Sequence, residues 1–167
     1  YAESGGQVGD SGKITTESGE FICDISDTQK VEGEIYLHQV EKNQKKKIVK
    51  GESYILSIDN SKRKKIRNNH SATHLLHESL RNILGEHVRQ KGSLVNDHKL
   101  RFDFTFNKSL TDNQIIEIES LVNKTIRTNL TRTEELMPVR KALESGAIAL
   151  FGEKYPEKAR VITFNST

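Results

Sequence analysis

The spacing of apolar residues changes character near residue 60. Before it, short β-like runs at 14–16, 21–25, 34–40 and 54–58 are separated by Gly, Asp and Ser, the punctuation of strands. Ile35, Leu37 and Gln39 alternate with Tyr36, His38 and Val40, so that strand is expected to be partly covered on both faces. Residues 1–62 therefore predict a small N-terminal β-barrel or sandwich. Beyond them the period lengthens. Ala72, Leu75, Leu76, Leu80, Ile83 and Leu84 form a helical stripe, with Asn68 or Asn69 as N-cap and Gly85 as the stop. Leu100, Phe102, Phe104 and Phe106 alternate with polar residues, as in a half-buried strand. Thr111 and Gln114 fit a capping box for a second helix, with Ile115, Ile118, Val122 and Ile126 on one face. Pro138 precedes a short helix over 140–145, closed by Gly146, and 161–164 reads as a last strand. Residues 63–167 thus predict an α+β region: a two-layer α/β core, with helices packed on a mostly antiparallel sheet.

Composition adds a polar surface to this picture. Of the 167 residues, 34% are hydrophobic and 29% charged, Trp is absent, and the mean hydropathy is -0.65. The apolar residues nevertheless fall in periodic runs, which argues against general disorder. Net charge is +3, concentrated in the runs Lys45, Lys46, Lys47 and Lys62, Arg63, Lys64, Lys65, followed by Arg67. Such runs are either solvated faces or phosphate contacts. The lone Cys23 excludes an internal disulfide framework and suits a reducing cytoplasm. No apolar run reaches the roughly 18 residues that a membrane span needs, and no signal peptide is visible. The first residue is tyrosine rather than methionine, which predicts a piece of a longer protein.

Two segments carry candidate chemistry. His70, His74 and His77 stand at i, i+4 and i+7, which on a helix places them on one face, beside the apolar stripe. Two imidazoles a turn apart can share a zinc ion, although the same pair also occurs on ordinary solvated helices. Ser71 stands where a metalloprotease helix has its glutamate, so a protease is disfavoured. His77 reads as a surface group or a support to the other two. The opening twelve residues contain four glycines, which allow positive φ and close backbone approach, or simply make a turn.

Five segments together resemble a known family. They are residues 1–10 (YAESGGQVGD), 69–77 (NHSATHLLH), 90–95 (QKGSLV), 100–104 (LRFDF) and 147–155 (AIALFGEKY). In this order and at these separations they are similar to the editing region of alanyl-tRNA synthetases and to the free-standing proteins that deacylate mischarged alanine tRNA. The resemblance covers nearly the whole chain. It implies hydrolysis of seryl or glycyl esters of tRNA for alanine within an enzyme that ligates alanine to tRNA, because an activation pocket discriminates poorly against one hydroxyl or one methyl.

It also implies site residues. His70 and His74 would be zinc ligands, the family's other two being a cysteine and a histidine from a segment after the last strand. The chain ends at Thr167 before any such segment, so half a zinc site is expected here. Thr73 would read the substrate serine hydroxyl, or else bond its own helix backbone. Gln90 would lie near the scissile ester, or else in a plain loop, and Ser93 and the backbone around Gly92 are further pocket candidates. Gly5, Gly6 and Gln7 would act at the tRNA end, or else form a structural turn. Lys62, Arg63, Lys64, Lys65 and Arg67, just ahead of the histidine helix, would face acceptor-stem phosphates. The implied partners are tRNA for alanine and the remaining synthetase domains. A non-catalytic tRNA-acceptor-binding module and a stand-alone deacylase remain the alternatives.

Overall fold

A computed structural model describes residues 1–32, 35–42, 44–147 and 157–165. The chain divides into two compact units, Tyr1–Thr73 with Gly92–Phe102, and His74–Lys91 with Asp103–Thr167. Both mix helix and strand. The expected segment 147–155 lies outside the described residues apart from Ala147, as does Glu34 of the third strand run.

The first unit is built on β1 (Gly12–Thr16), β2 (Phe21–Val31), β3 (Ile35–Val40) and β4 (Tyr54–Ile58). They form one antiparallel sheet in the order β3-β2-β1-β4. The expected barrel does not close: among the described residues β3 pairs only with β2 and β4 only with β1, leaving two edges. Ile14, Ile22, Cys23 and Ile25 make the core, with Tyr54 against it. Burial pushes the Cys23 thiol above its usual pKa, with the Asp24 charge adding to it. β2 runs past its apolar stretch because its polar end has partners. Thr28 is buried, its hydroxyl donates to the Asp10 carbonyl at 2.9 Å, and its own carbonyl accepts from Glu3 N–H at 2.9 Å. The opening segment is thus laid along β2, where a side chain at Gly9 would strike the Thr28 backbone. β3 is not covered on both faces as its alternation suggests; all six of its residues are exposed at the sheet edge.

Helix α1 (Asn60–Leu84) begins well before Asn68. Asp59 caps it, its carboxylate accepting from Lys62 N–H at 3.0 Å. The basic run from Lys62 to Arg67 is therefore the start of the histidine helix rather than a loop before it. The buried positions of α1 are Ile66, Thr73, His77, Ser79 and Leu80; all but Ser79 fall on one line, spaced by seven, four and three. The expected stripe at Leu75, Leu76 and Ile83 is only half-buried. The covered line of the helix thus takes in His77, buried rather than at the surface, and a half-buried His70, while His74 stays exposed beside it.

β5 (Gln90–Val95) and β6 (Leu100–Phe104) form a hairpin. Its turn is closed by Asn96, whose side-chain oxygen accepts from His98 and Lys99 N–H at 2.8 Å each. Phe106 falls past the end of β6 and stacks on His87 with ring centroids 6.1 Å apart.

The second unit holds α2 (Asp112–Arg127), β7 (Thr131–Pro138), α3 (Val139–Glu144) and β8 (Lys158–Asn165). The capping box at Thr111 and Gln114 forms as expected. The covered face of α2 is shifted, however. Ile118 is buried and Gln114, Leu121, Val122 and Thr125 are half-buried, whereas Ile115 and Ile126 are half exposed. α3 is closed at Gly146, whose φ of +86° is what a helix stop requires. β7 and β8 pair antiparallel over eight positions, from Thr131 with Asn165 to Pro138 with Lys158.

Candidate functional site

The glycine-rich segment forms a tight reversal. Ser4 and Gln7 exchange backbone hydrogen bonds at 3.1 and 3.0 Å, with Gly5 at φ +58° and Gly6 at φ +80° between them. Positive φ at both central positions is the signature of a two-residue turn of the primed type, which side-chain-bearing residues adopt only at a cost. The turn lies against β5: Val95 N–H donates to the Gly6 carbonyl at 2.7 Å, and Val8 N–H donates to the Val95 carbonyl at 3.1 Å. A Cβ at Gly6 would sit 2.7 Å from the Ser93 carbonyl oxygen and collide with its hydroxyl. Gly6 and Ser93, two expected site residues, are therefore neighbours. Gly5 is exposed at the tip of the turn.

Gln7 and Asp10 point from this segment to α1. Gln7 is buried, and its side-chain oxygen lies 2.6 Å from Nδ1 of His70. An amide oxygen only accepts, so Nδ1 is the donor in this pair, and in the neutral ring Nε2 then carries the lone pair. This is how metal-binding imidazoles are oriented by a supporting group. Asp10 is also buried and receives Arg63 in a two-pronged ion pair, Nε to Oδ1 at 2.9 Å and Nη2 to Oδ2 at 2.7 Å. The Arg63 guanidinium also lies over the Tyr1 ring, 5.4 Å from its centroid. Arg63 and His70 are seven residues apart and share a helix face, so both ties grip one side of α1.

The remaining expected residues sort by exposure. Thr73 is buried, and its hydroxyl donates to the Asn69 carbonyl at 2.9 Å, one turn back. With that proton committed, its oxygen can only accept from anything further. Asn69 in turn donates from its side chain to the Asn96 carbonyl at 2.7 Å. His74 is exposed one turn beyond His70 on α1. Gln90 is half-buried at the first position of β5, so it lies on a strand and not in a loop. Within the basic run Lys64, Lys65 and Arg67 are exposed, Lys62 is half-buried, and Arg63 is committed to Asp10. His70 and His74 suit zinc in donor type and spacing, and His70 has its supporting oxygen. No group of three or more His, Cys, Asp or Glu side chains is arranged for a metal among the described residues.

Two features escape a reading by motif. Gln7 as the partner of His70 is visible in hindsight only as a polar residue directly after a Gly-Gly turn. His77, buried in the second unit, lies on the same helical line as Ile66 and Leu80, and that spacing does signal it. Burial lowers its pKa below the usual value, opposed by a hydrogen bond to the Val88 backbone. It is therefore neutral at pH 7.

No protein-family model matches the chain. Individual relatives do, over nearly all of it. The alanine–tRNA ligase of Coxiella burnetii is 50% identical over 162 residues, which are 97% of this chain and 18% of the relative. That of Haemophilus influenzae is 50% identical over 163 residues, 98% of the chain and 18% of the relative. That of a Polaromonas species is 44% identical over 167 residues, 100% of the chain and 19% of the relative. The chain thus spans about a fifth of the length of the curated relatives it matches. None of the helices among the described residues is long and apolar enough to cross a membrane.

Proposed function

Because the chain belongs to the alanine–tRNA ligase family as one segment of such an enzyme, we propose that it is the editing region. In this reading it hydrolyses the ester that joins serine or glycine to tRNA for alanine. The observation that carries it is the pairing, on one face of α1, of an imidazole whose Nδ1 is held by an acceptor and a hydroxyl with a committed proton.

The division of labour follows from those groups. Thr73 accepts a hydrogen bond from the substrate serine hydroxyl, its own hydrogen being held by Asn69. An alanyl ester has no donor to offer there, which costs about 1–3 kcal/mol of recognition. His70 and His74 are the residues that would hold zinc, each through one neutral ring nitrogen. Zinc supplies Lewis-acid chemistry, either to a water or to the substrate's α-amino group. Gln90 and Ser93 contribute polar groups from β5 toward the ester and the terminal ribose. Lys64, Lys65 and Arg67, with Lys62 behind them, contact acceptor-stem phosphates, which position the tRNA without reading its sequence.

The test is deacylation of seryl-tRNA for alanine by a ligase carrying this segment. His70→Ala is expected to lower the rate on the order of 100-fold, while alanine activation elsewhere in the enzyme stays unchanged. Thr73→Val is expected to shrink the serine-over-alanine ratio by about tenfold. Tight tRNA binding without hydrolysis, in the unaltered enzyme, would instead establish a non-catalytic acceptor-binding module.

A further inference from the structure

The glycine-rich turn has its tip exposed, but its last residue faces inward. Gln7 is 6% exposed, and its backbone is fixed on both sides by the Ser4 pair and by the flanking bonds to Val95. Its side-chain oxygen reaches Nδ1 of His70 at 2.6 Å, across 63 residues of sequence. We propose that Gln7 is a positioning residue for His70: its side-chain oxygen holds the imidazole in the Nδ1–H tautomer and sets the ring's direction, so that Nε2 is the ligating nitrogen.

The proposal rests on the reading of His70 as a metal ligand. A neutral imidazole in water samples both tautomers, and only one of its nitrogens has a lone pair at a time. An acceptor fixed opposite Nδ1 removes the choice before any ligand arrives. The acceptor must itself be immobile, and the surrounding turn meets that need. Gly5 and Gly6 allow the chain to reverse with positive φ at two successive positions, and Gly6 lets the turn press against Ser93. The Asp10–Arg63 pair then prevents α1 from rotating away. The turn's glycines serve the inside of the site by delivering one amide oxygen.

The experiment reads the tautomer directly, with neither metal nor tRNA present. In the nitrogen-15-labelled chain at pH 8, the two ring nitrogens of His70 are assigned by comparison with His70→Gln. The native chain is expected to show a predominant Nδ1–H form. Gln7→Met, of similar length but with no oxygen, is expected to give a mixture, and Gln7→Glu, which restores an acceptor, to recover the Nδ1–H form. A predominant Nε2–H form in the native chain would overturn the proposal, and so would a folded Gln7→Met chain with an unchanged spectrum. If Gln7→Met fails to fold, the native and Gln7→Glu spectra still decide. Because no catalysis is measured, a chain with the Nδ1–H form that deacylates nothing refutes the editing reading and leaves this assignment standing.

Discussion

The glycine-rich segment and the β7–β8 ribbon are opposites in the way they are held. The ribbon has full register over eight pairs, yet twelve of its sixteen residues are exposed, seven of them in β7. The glycine-rich segment has no regular structure beyond a turn, yet Ala2, Gln7 and Asp10 are all buried. Its polar groups are met partly within the turn and partly by distant ones in β2, β5 and α1. Regularity is thus a poor guide to how closely a segment is specified. What matters is whether its polar groups have single, buried partners, because an unmet buried group is expensive while a surface pair is nearly neutral.

Four substitutions or conditions would break or sharpen this contrast. The largest effect is expected from Asp10→Ala, which leaves Arg63 without its partner and loosens α1; unfolding in urea should show a loss of about 2–4 kcal/mol. Next is Gly6→Ala, which combines positive φ with a collision at Ser93. It should lose about 2 kcal/mol or more, whereas Gly19→Ala, at φ +86° with open space around it, should lose about 1 kcal/mol. Smaller is a pH effect from His77. Its folded pKa is depressed, so the unfolded chain binds the proton more tightly. Its contribution is present above about pH 6.5 and is lost as pH falls through the folded value. Thermal unfolding between pH 7.5 and 5 should therefore show a declining midpoint, and His77→Gln should flatten that decline. Least is Glu134→Ala in the ribbon, which removes exposed ion pairs to Arg132 and Arg160 and should shift stability by less than about 0.5 kcal/mol. A loss there comparable to that of Asp10→Ala would dissolve the contrast.

The same contrast explains what was legible in the amino-acid order. Strands such as β1 and the start of β2 announce themselves through short β-branched and aromatic runs bounded by Gly, Ser and Asp. The capping box of α2 is equally legible, being entirely local. β7 is not: its residues TRTEELMP carry no apolar alternation, and its pairing with β8 is between segments whose sequences do not demand it. The early start of α1 was hidden because its first two turns are basic and mostly exposed, so no stripe marks them. Among site residues, the His70–His74 spacing is written in the chain, and the glycine pair signals a turn. That Gln7 meets His70, and that Arg63 is drawn from the basic run to Asp10, depends on chain reversal over dozens of residues. No local pattern encodes that.

The two ties between the opening segment and α1 have a consequence for synthesis. They join residues 53 and 63 positions apart, and at translation rates of about 5–20 residues per second the later partner emerges roughly 3–13 s after the earlier one. During that interval the turn has no helix to close upon, and contacts of such long separation are slow to form. The glycine-rich run is therefore made first and completed late, and a nascent chain stalled before residue 70 would carry the turn without the histidine it orients.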